Sequence, residues 1–188
     1  MLQKTLNLFV SIHLIASCFF LPAAIIFLVT GALYTVDIKG SYQITKYPLP
    51  LDAPLEPDLD ACRAMAEAFL EAEGIAPPSG GDRIRRFGTS FAYEWHGSNR
   101  DVLVSPTDDP AAAVVEVKDT TFYRRMVQLH KAKGGGIFKG YAVVFSVALV
   151  LILVTGYIVA WTRQPLRMQT VLSTVLGIIV FILVVLLS

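Results

Sequence analysis

The side chains in this chain that could do redox or ligand chemistry are its histidines. The sequence has three, and two of them adjoin long apolar runs: His13 near the start of the first run, and His130 shortly before the second. Neutral imidazole is a good iron ligand, and an ionisable residue inside a membrane segment is a functional candidate by default. We therefore take both as candidate ligands. The alternatives are a bond from His13 to lipid headgroups or a neighbouring helix, and a surface position at a helix end for His130.

Two other groups in the middle of the chain carry charge. His96 follows Trp95 at the end of a predicted strand, where we expect a surface position. Arg83, Arg85 and Arg86 form a basic run, which either binds an anionic group or lies on a solvated edge strand. The sequence contains no metal-binding cysteine set, no nucleotide-binding loop and no nucleophile–base arrangement, so no catalytic residue is predicted. A net charge of +1 gives no reason to expect a nucleic-acid partner.

Three apolar segments must position these residues. Of the 188 residues 54% are hydrophobic and 16% charged, a composition typical of membrane proteins. The segments cover residues 5–36, 137–161 and 168–187, and each has about the 20 residues that a helix needs to cross a bilayer. In lipid each backbone amide must be bonded within its own segment, so all three are predicted to be transmembrane helices. The first is too long for a cleaved signal peptide and is predicted to be retained.

Residues 37–120 are predicted to form a small α+β domain inserted between the first two membrane helices. A strand-like stretch covers residues 42–47. A helix should begin near Asp58 and stop near Gly74, because acidic residues cluster at its start and apolar residues recur along it at helical spacing. Further strands are predicted at 87–95, 102–104 and 113–117. A helix packed on an antiparallel meander buries one face of each element.

Residues 121–136 lead from this domain to the second membrane helix. Phe122, Met126 and Leu129 fall on one helical face, and four basic residues accompany them. That face lies either at the membrane surface, with the basic groups toward lipid headgroups, or against the domain. Gly134, Gly135 and Gly136 are predicted to let the chain turn into the membrane helix.

Charge at the segment ends predicts the orientation. Lys4, Arg163 and Arg167 share one side of the membrane, and basic residues in short loops favour the cytoplasm. This places the N-terminus in the cytoplasm and the domain outside. The basic residues before the second helix argue the other way.

A four-residue pattern closes two of the predicted helices. Leu-Val-Thr-Gly occurs at residues 28–31 and again at 153–156, each time with a histidine before it. This echo marks either an inverted repeat or a shared packing requirement. Together with His13-Leu14 and Leu129-His130, these motifs resemble the PepSY-associated transmembrane helix family of bacterial inner-membrane proteins.

The resemblance implies a PepSY-like periplasmic domain and a role in siderophore-iron reduction or transmembrane electron transfer. It also implies that His13 and His130 hold haem b. Helix rise places His13 ~25 Å or more from the far end of its helix, so one chain does not bring both histidines to one haem. We therefore expect a homodimer or a membrane-protein partner, with Ser17 and Gln128 as candidates to bond the second imidazole nitrogens. The alternative is a non-catalytic membrane subunit or scaffold whose domain binds a periplasmic partner.

The orientation is testable by cysteine labelling. A cysteine at position 98 should react with a membrane-impermeant thiol reagent from the periplasmic side, because a single helix precedes the domain. Reaction from the cytoplasmic side alone would contradict the predicted topology.

Overall fold

The computed structural model describes residues 2–188, and the side chains of residue 4 and of residues 6–188. In chain order the elements are α1 (Leu2–Thr35), β1 (Tyr42–Pro50), α2 (Leu59–Ala72), β2 (Asp82–Phe87), β3 (Ser90–Trp95), β4 (Arg100–Pro106), β5 (Ala112–Thr120), α3 (Phe122–His130), α4 (Gly136–Thr162) and α5 (Gln164–Leu187).

The described part of the chain has three helices long and apolar enough to cross a membrane, α1, α4 and α5. These correspond to the three predicted segments. The chain divides into two compact units, one of the residues up to Ala24 with Val143–Ser188, the other of Ile25–Ala142. The division falls inside α1 and α4.

Five strands in the described chain form one antiparallel sheet in the order β1-β5-β4-β3-β2. β3, β4 and β5 form the predicted three-stranded meander, and β2 adds a fourth strand to it. β1 lies beside β5, with Tyr42 opposite Thr120 and Pro50 opposite Ala112. The fold of this unit is therefore α+β, with β1 and β2 at the two edges of the sheet.

Helix α2 covers one face of the sheet, and the hydrophobic core of the domain lies between the helix and that face. The side chain of Asp58 caps the helix by accepting a hydrogen bond of 2.7 Å from the Ala61 N–H. Gly74 follows the helix with a φ of +64°, a conformation that favours glycine. The helix start, helix stop and buried face are as predicted. The fully buried core consists of Cys62, Ala66, Leu70, Tyr93, Val102, Val104, Ala113, Val115 and Val117.

The prediction of a single strand over residues 87–95 is wrong. The chain reverses at Gly88 and Thr89, so that Phe87 lies opposite Ser90 across a two-residue hairpin loop. Gly88 has a φ of +60°, which suits the first loop position of a type II′ turn. The alternation of apolar residues continued by chance across this loop and concealed the turn.

The predicted apolar face of α3 is exposed at its first residue. The buried residues of α3 are Val127 and Gln128, whereas Phe122 on the predicted apolar face is 80% exposed. Met126 and Leu129 of the same face are half-buried, so packing against the domain stays a prediction. The membrane-surface position also stays a prediction.

The chain bends at Gly134 before α4, as predicted, and Gly134 and Gly135 also lie in close contacts. In the described residues, positive φ among glycines occurs at Gly40, Gly74 and Gly88 only. A Cβ on Gly135 would lie 2.9 Å from the Ser79 carbonyl oxygen, and one on Gly134 would lie 2.8 Å from the Phe138 Cβ. Side chains larger than hydrogen are sterically excluded at both positions.

His96 lies in a largely buried polar cluster, so the prediction of a surface position is wrong. Its Nε2 is 3.2 Å from an oxygen of Glu94, and its Nδ1 is 3.2 Å from Asp101 Oδ1. These carboxylates are only 5% and 4% exposed. The other oxygen of Asp101 accepts hydrogen bonds from Tyr42 (2.9 Å) and Gln128 (3.0 Å). Buried carboxylates need such donors, which the sequence pattern did not reveal.

Burial raises the pKa of Asp101, but hydrogen bonds from His96 and the Gly97 N–H, with the nearby Lys133 ammonium, outweigh it and bring the pKa to about 2. Because the folded pKa lies below the ordinary value of 3.8, the ionised group stabilises the fold above that pH. The stabilisation disappears as the pH falls from about 4 to about 2.

Replacing Asp101 should therefore destabilise the domain. Asp101→Asn should lower the free energy of unfolding by about 2 kcal/mol at neutral pH, with the difference from wild type shrinking below pH ~4. Denaturant unfolding followed by Trp95 fluorescence measures this. Asp108→Asn in the exposed β4–β5 turn is the matched control, and equal effects of both substitutions would contradict the prediction.

Candidate ligand histidines

His130, at the end of α3, bonds to a threonine of α1. Its Nδ1 lies 2.8 Å from Thr30 Oγ1, and Thr30 is only 3% exposed. The imidazole also stacks on Phe27, with ring centroids 4.8 Å apart. The end of α3 and a buried position on α1 therefore hold the ring on two sides.

His13, on α1, makes the corresponding contact with α4. Its Nδ1 lies 3.0 Å from the Ile152 carbonyl oxygen and 3.2 Å from Thr155 Oγ1. Thr155 is 5% exposed. His13 therefore bonds to a neighbouring helix, which was one of the two alternatives to a ligand role.

The hydrogen-bond partners fix which nitrogen of each neutral imidazole carries the proton. A carbonyl oxygen only accepts, so Nδ1 of His13 must donate to Ile152. Thr30 gives its one hydroxyl proton to the Ile26 carbonyl at 2.7 Å and therefore accepts from His130 Nδ1. Thr155 likewise donates to the Leu151 carbonyl at 2.6 Å. In both histidines Nδ1 is protonated.

The Nε2 atoms consequently carry lone pairs. Neither Nε2 has a hydrogen-bond partner within the described residues, and His130 is an exposed residue while His13 is half-buried. An unprotonated Nε2 with a bonded Nδ1–H is the arrangement found in histidines that ligate metals.

A glycine makes room for each imidazole. A Cβ on Gly31 would lie 3.2 Å from His130 Cε1, and one on Gly156 would lie 3.1 Å from His13 Cε1. The Thr-Gly pair therefore acts twice in the same way: the threonine bonds the histidine, and the glycine lets the ring approach the helix. This common contact supports the shared packing requirement as the reason for the echo.

A small cavity adjoins His130. Its volume is about 240 Å³, and it is lined by Thr30, Gly31, Tyr34, Val127, His130 and Lys131. The Lys131 ammonium lies 3.5 Å from the Tyr34 hydroxyl and 5.4 Å from its ring centroid. The cavity is mostly apolar and has one cation on its lining.

The predicted partners of the second nitrogens are not those observed. Gln128 donates to Tyr42 and Asp101 rather than to His130. The Ser17 hydroxyl oxygen is buried and has no hydrogen-bond partner in the described chain. Thr30 and Thr155 take these places. Their only sequence signal was the repeated Thr-Gly, and it did not say which residue each threonine meets.

The remaining predicted residues lie elsewhere. Arg83, Arg85 and Arg86 are on β2, an edge strand, as the alternative for this run predicted. Cys18 and Cys62 are free thiols. The described residues contain no group of three or more His, Cys, Asp or Glu side chains placed to hold a metal ion. No ligand site beyond the two histidines follows from these residues.

No protein-family model, no curated protein and no solved structure matches this chain. The family resemblance therefore rests on the motifs alone.

The role of the glycines is testable against a control in the same helix. Gly156→Ala should destabilise the protein by about 1 kcal/mol relative to Gly140→Ala, because the new methyl group pushes the His13 ring off its two acceptors. A Cβ on Gly140 would meet nothing within 4 Å, and both changes gain the same helix propensity. Thermal denaturation in detergent measures the difference. Equal melting temperatures for the two variants would contradict it.

Proposed function

We propose that this chain is a haem-b-binding component of transmembrane electron transfer in the bacterial inner membrane, serving iron or siderophore reduction. The observation that carries the proposal is the shared tautomer of His13 and His130, in which Nδ1–H is bonded and Nε2 offers its lone pair. Axial haem ligands need that tautomer, and a partner on the other nitrogen orients the ring.

The residues around His130 fit one side of a haem site. The cavity of about 240 Å³ is below the ~300–1,000 Å³ of pockets that enclose a ligand by themselves. His130 and His13 also use separate threonines. Each histidine would therefore offer one imidazole nitrogen to a haem, and a second copy of the chain or a partner helix would supply the second ligand. We propose a homodimer.

Haem iron, when bound, supplies one-electron transfer. The chain's own residues hold and tune the ligand. Thr30 and Thr155 accept hydrogen bonds from Nδ1–H and so keep Nε2 unprotonated, while Gly31 and Gly156 allow the close ring position. Lys131 offers a cation to a carboxylate-bearing ligand.

The orientation belongs to the same proposal. The N-terminus lies in the cytoplasm and the α+β domain, of PepSY-like type, in the periplasm, supported by Arg163 between α4 and α5 and by Arg167 in the first turn of α5. Ser98 is only 7% exposed, and its exposed neighbour Asn99 is the better position for the labelling cysteine.

A second candidate function is a non-catalytic scaffold whose domain binds a periplasmic partner. One observation favours it: each imidazole already makes a complete helix contact, bonded to a buried threonine and packed on a glycine. Polar bonds of this kind hold membrane helices together without any cofactor.

Absorption spectroscopy separates the two functions. Protein purified after haem-replete expression should show a Soret band that weakens in His13→Ala and in His130→Ala, and it should run as a dimer or larger complex. His96→Ala is the control, since His96 bonds to Glu94 and Asp101. A colourless wild-type protein would contradict the redox function and leave the scaffold.

Thr30→Val tests the role of the threonine. The variant should keep its haem but show a higher midpoint potential, because losing the acceptor for Nδ1–H makes His130 a weaker electron donor to ferric iron. Potentiometric titration measures this, and Thr30→Ser should restore the wild-type value. An unchanged potential in Thr30→Val would contradict the tuning role.

A further inference from the structure

The two edges of the sheet differ chemically. Each edge strand has one unpaired side: β1 pairs only with β5, and β2 pairs only with β3. β1 contains Pro48 and Pro50, which have no N–H to offer an added strand. β2 contains no proline. The β1 edge is therefore protected against strand addition, and the β2 edge is open.

The hairpin register shows which backbone groups of β2 face outward. Phe87 and Ser90 close a two-residue loop, so their pair exchanges hydrogen bonds. Hydrogen-bonded pairs alternate along the strand, which assigns Arg85 and Arg83 to bonds with β3. The N–H and C=O groups of Ile84 and Arg86 then point away from the sheet.

The open edge is positively charged. Arg83 and Arg85 share one carboxylate, Glu94, at 2.7 Å and 3.4 Å, and their side chains remain 60% and 55% exposed. Arg86 makes no ion pair within residues whose side chains the structure describes. Arg63 pairs with Asp82 at 2.6 Å. This edge thus has four arginines but only two carboxylates, Glu94 and Asp82, to pair with them. The excess positive charge lies on the solvent-exposed side of β2.

We propose that β2 is the docking edge for an extended acidic segment of a partner protein, which adds to the sheet as a further antiparallel or parallel strand. The outward groups of Ile84 and Arg86 form the backbone pairing. Arg83 and Arg85 lie on one face of the new pair and Arg86 on the other, where they bind carboxylates of the added strand. The inference concerns the domain alone and does not depend on haem.

The experiment uses the full chain in nanodiscs and a fluorescent peptide of alternating Glu and Thr, about eight residues long. Two matched peptides accompany it: one with Lys for Glu, and one acidic peptide N-methylated at alternate residues, which cannot pair on one side. Anisotropy should show the acidic peptide binding about tenfold or more tightly than either. The amides of Ile84 and Arg86 should gain protection from hydrogen exchange when it binds.

Variants locate the site. Arg85→Gln combined with Arg86→Gln should weaken binding about tenfold or more, and Arg86→Pro should weaken it by removing one outward N–H. Lys46→Gln, on the exposed part of the β1 edge, is the control and should bind as wild type. Circular dichroism confirms that each variant is folded. Their Soret bands should equal that of the wild type, so failure here is distinct from failure of the haem proposal.

Three results would overturn the proposal. Equal binding of the acidic and basic peptides means that the arginines only blunt the edge against aggregation. Equal binding of the N-methylated peptide means ionic attraction without strand pairing. Complete displacement by citrate at the peptide's own concentration means a small-anion site.

Discussion

The hydrogen bond from each histidine Nδ1 to a buried threonine is the interaction on which the membrane part of this structure depends. Between the apolar helices α1 and α4, the imidazole of His13 would be strongly disfavoured without a partner. Each threonine hydroxyl donates its proton to a carbonyl of its own helix, so toward the histidine it can only accept a hydrogen bond. That one direction of donation sets the tautomer, the ring position and the free lone pair together.

The same contact explains a pairing of residue types that otherwise looks arbitrary. A threonine followed by glycine gives a helix both an acceptor and a gap beside it. A larger residue than glycine at Gly31 or Gly156 would displace the ring from the acceptor. The bond and the gap are therefore a single requirement, and neither is useful without the other.

In the domain, a buried polar cluster holds the elements together on one face of the sheet, as apolar packing does on the other face. Asp101 joins Tyr42, His96 and Gln128, which come from β1, the β3–β4 turn and α3. Lys133 adds a cation 3.5 Å from Asp101, and burial lowers the pKa of its ammonium. The segment that leads to α4 is thus bonded to the sheet by charge and by close glycine contacts.

Sequence patterns predicted the elements that are governed by hydropathy and period. The apolar runs gave α1, α4 and α5, and the spacing of Cys62, Ala66 and Leu70 gave the buried face of α2. The patterns failed where a tertiary partner decides. His96 is drawn inward by two carboxylates whose proximity depends on the β3–β4 turn.

The same limit applies to the candidate site. The sequence indicated His13 and His130 because they are potential metal ligands that adjoin long apolar runs. It could not indicate their acceptors, because Thr30 and Thr155 meet histidines that are distant along the chain. Gln128 and Ser17 were nearer in sequence and were the wrong choices.

Helix α5, all of whose residues the structure describes, has no buried side chain. Even a Cβ on Gly177 would meet nothing within 4 Å. Within the described chain, its side chains are thus not fixed by particular neighbours, and length, apolar character and helix propensity are the constraints that remain. Natural variants of this segment should therefore drift freely among apolar residues while keeping their length, in contrast to the fixed threonine, glycine and histidine positions of α1 and α4.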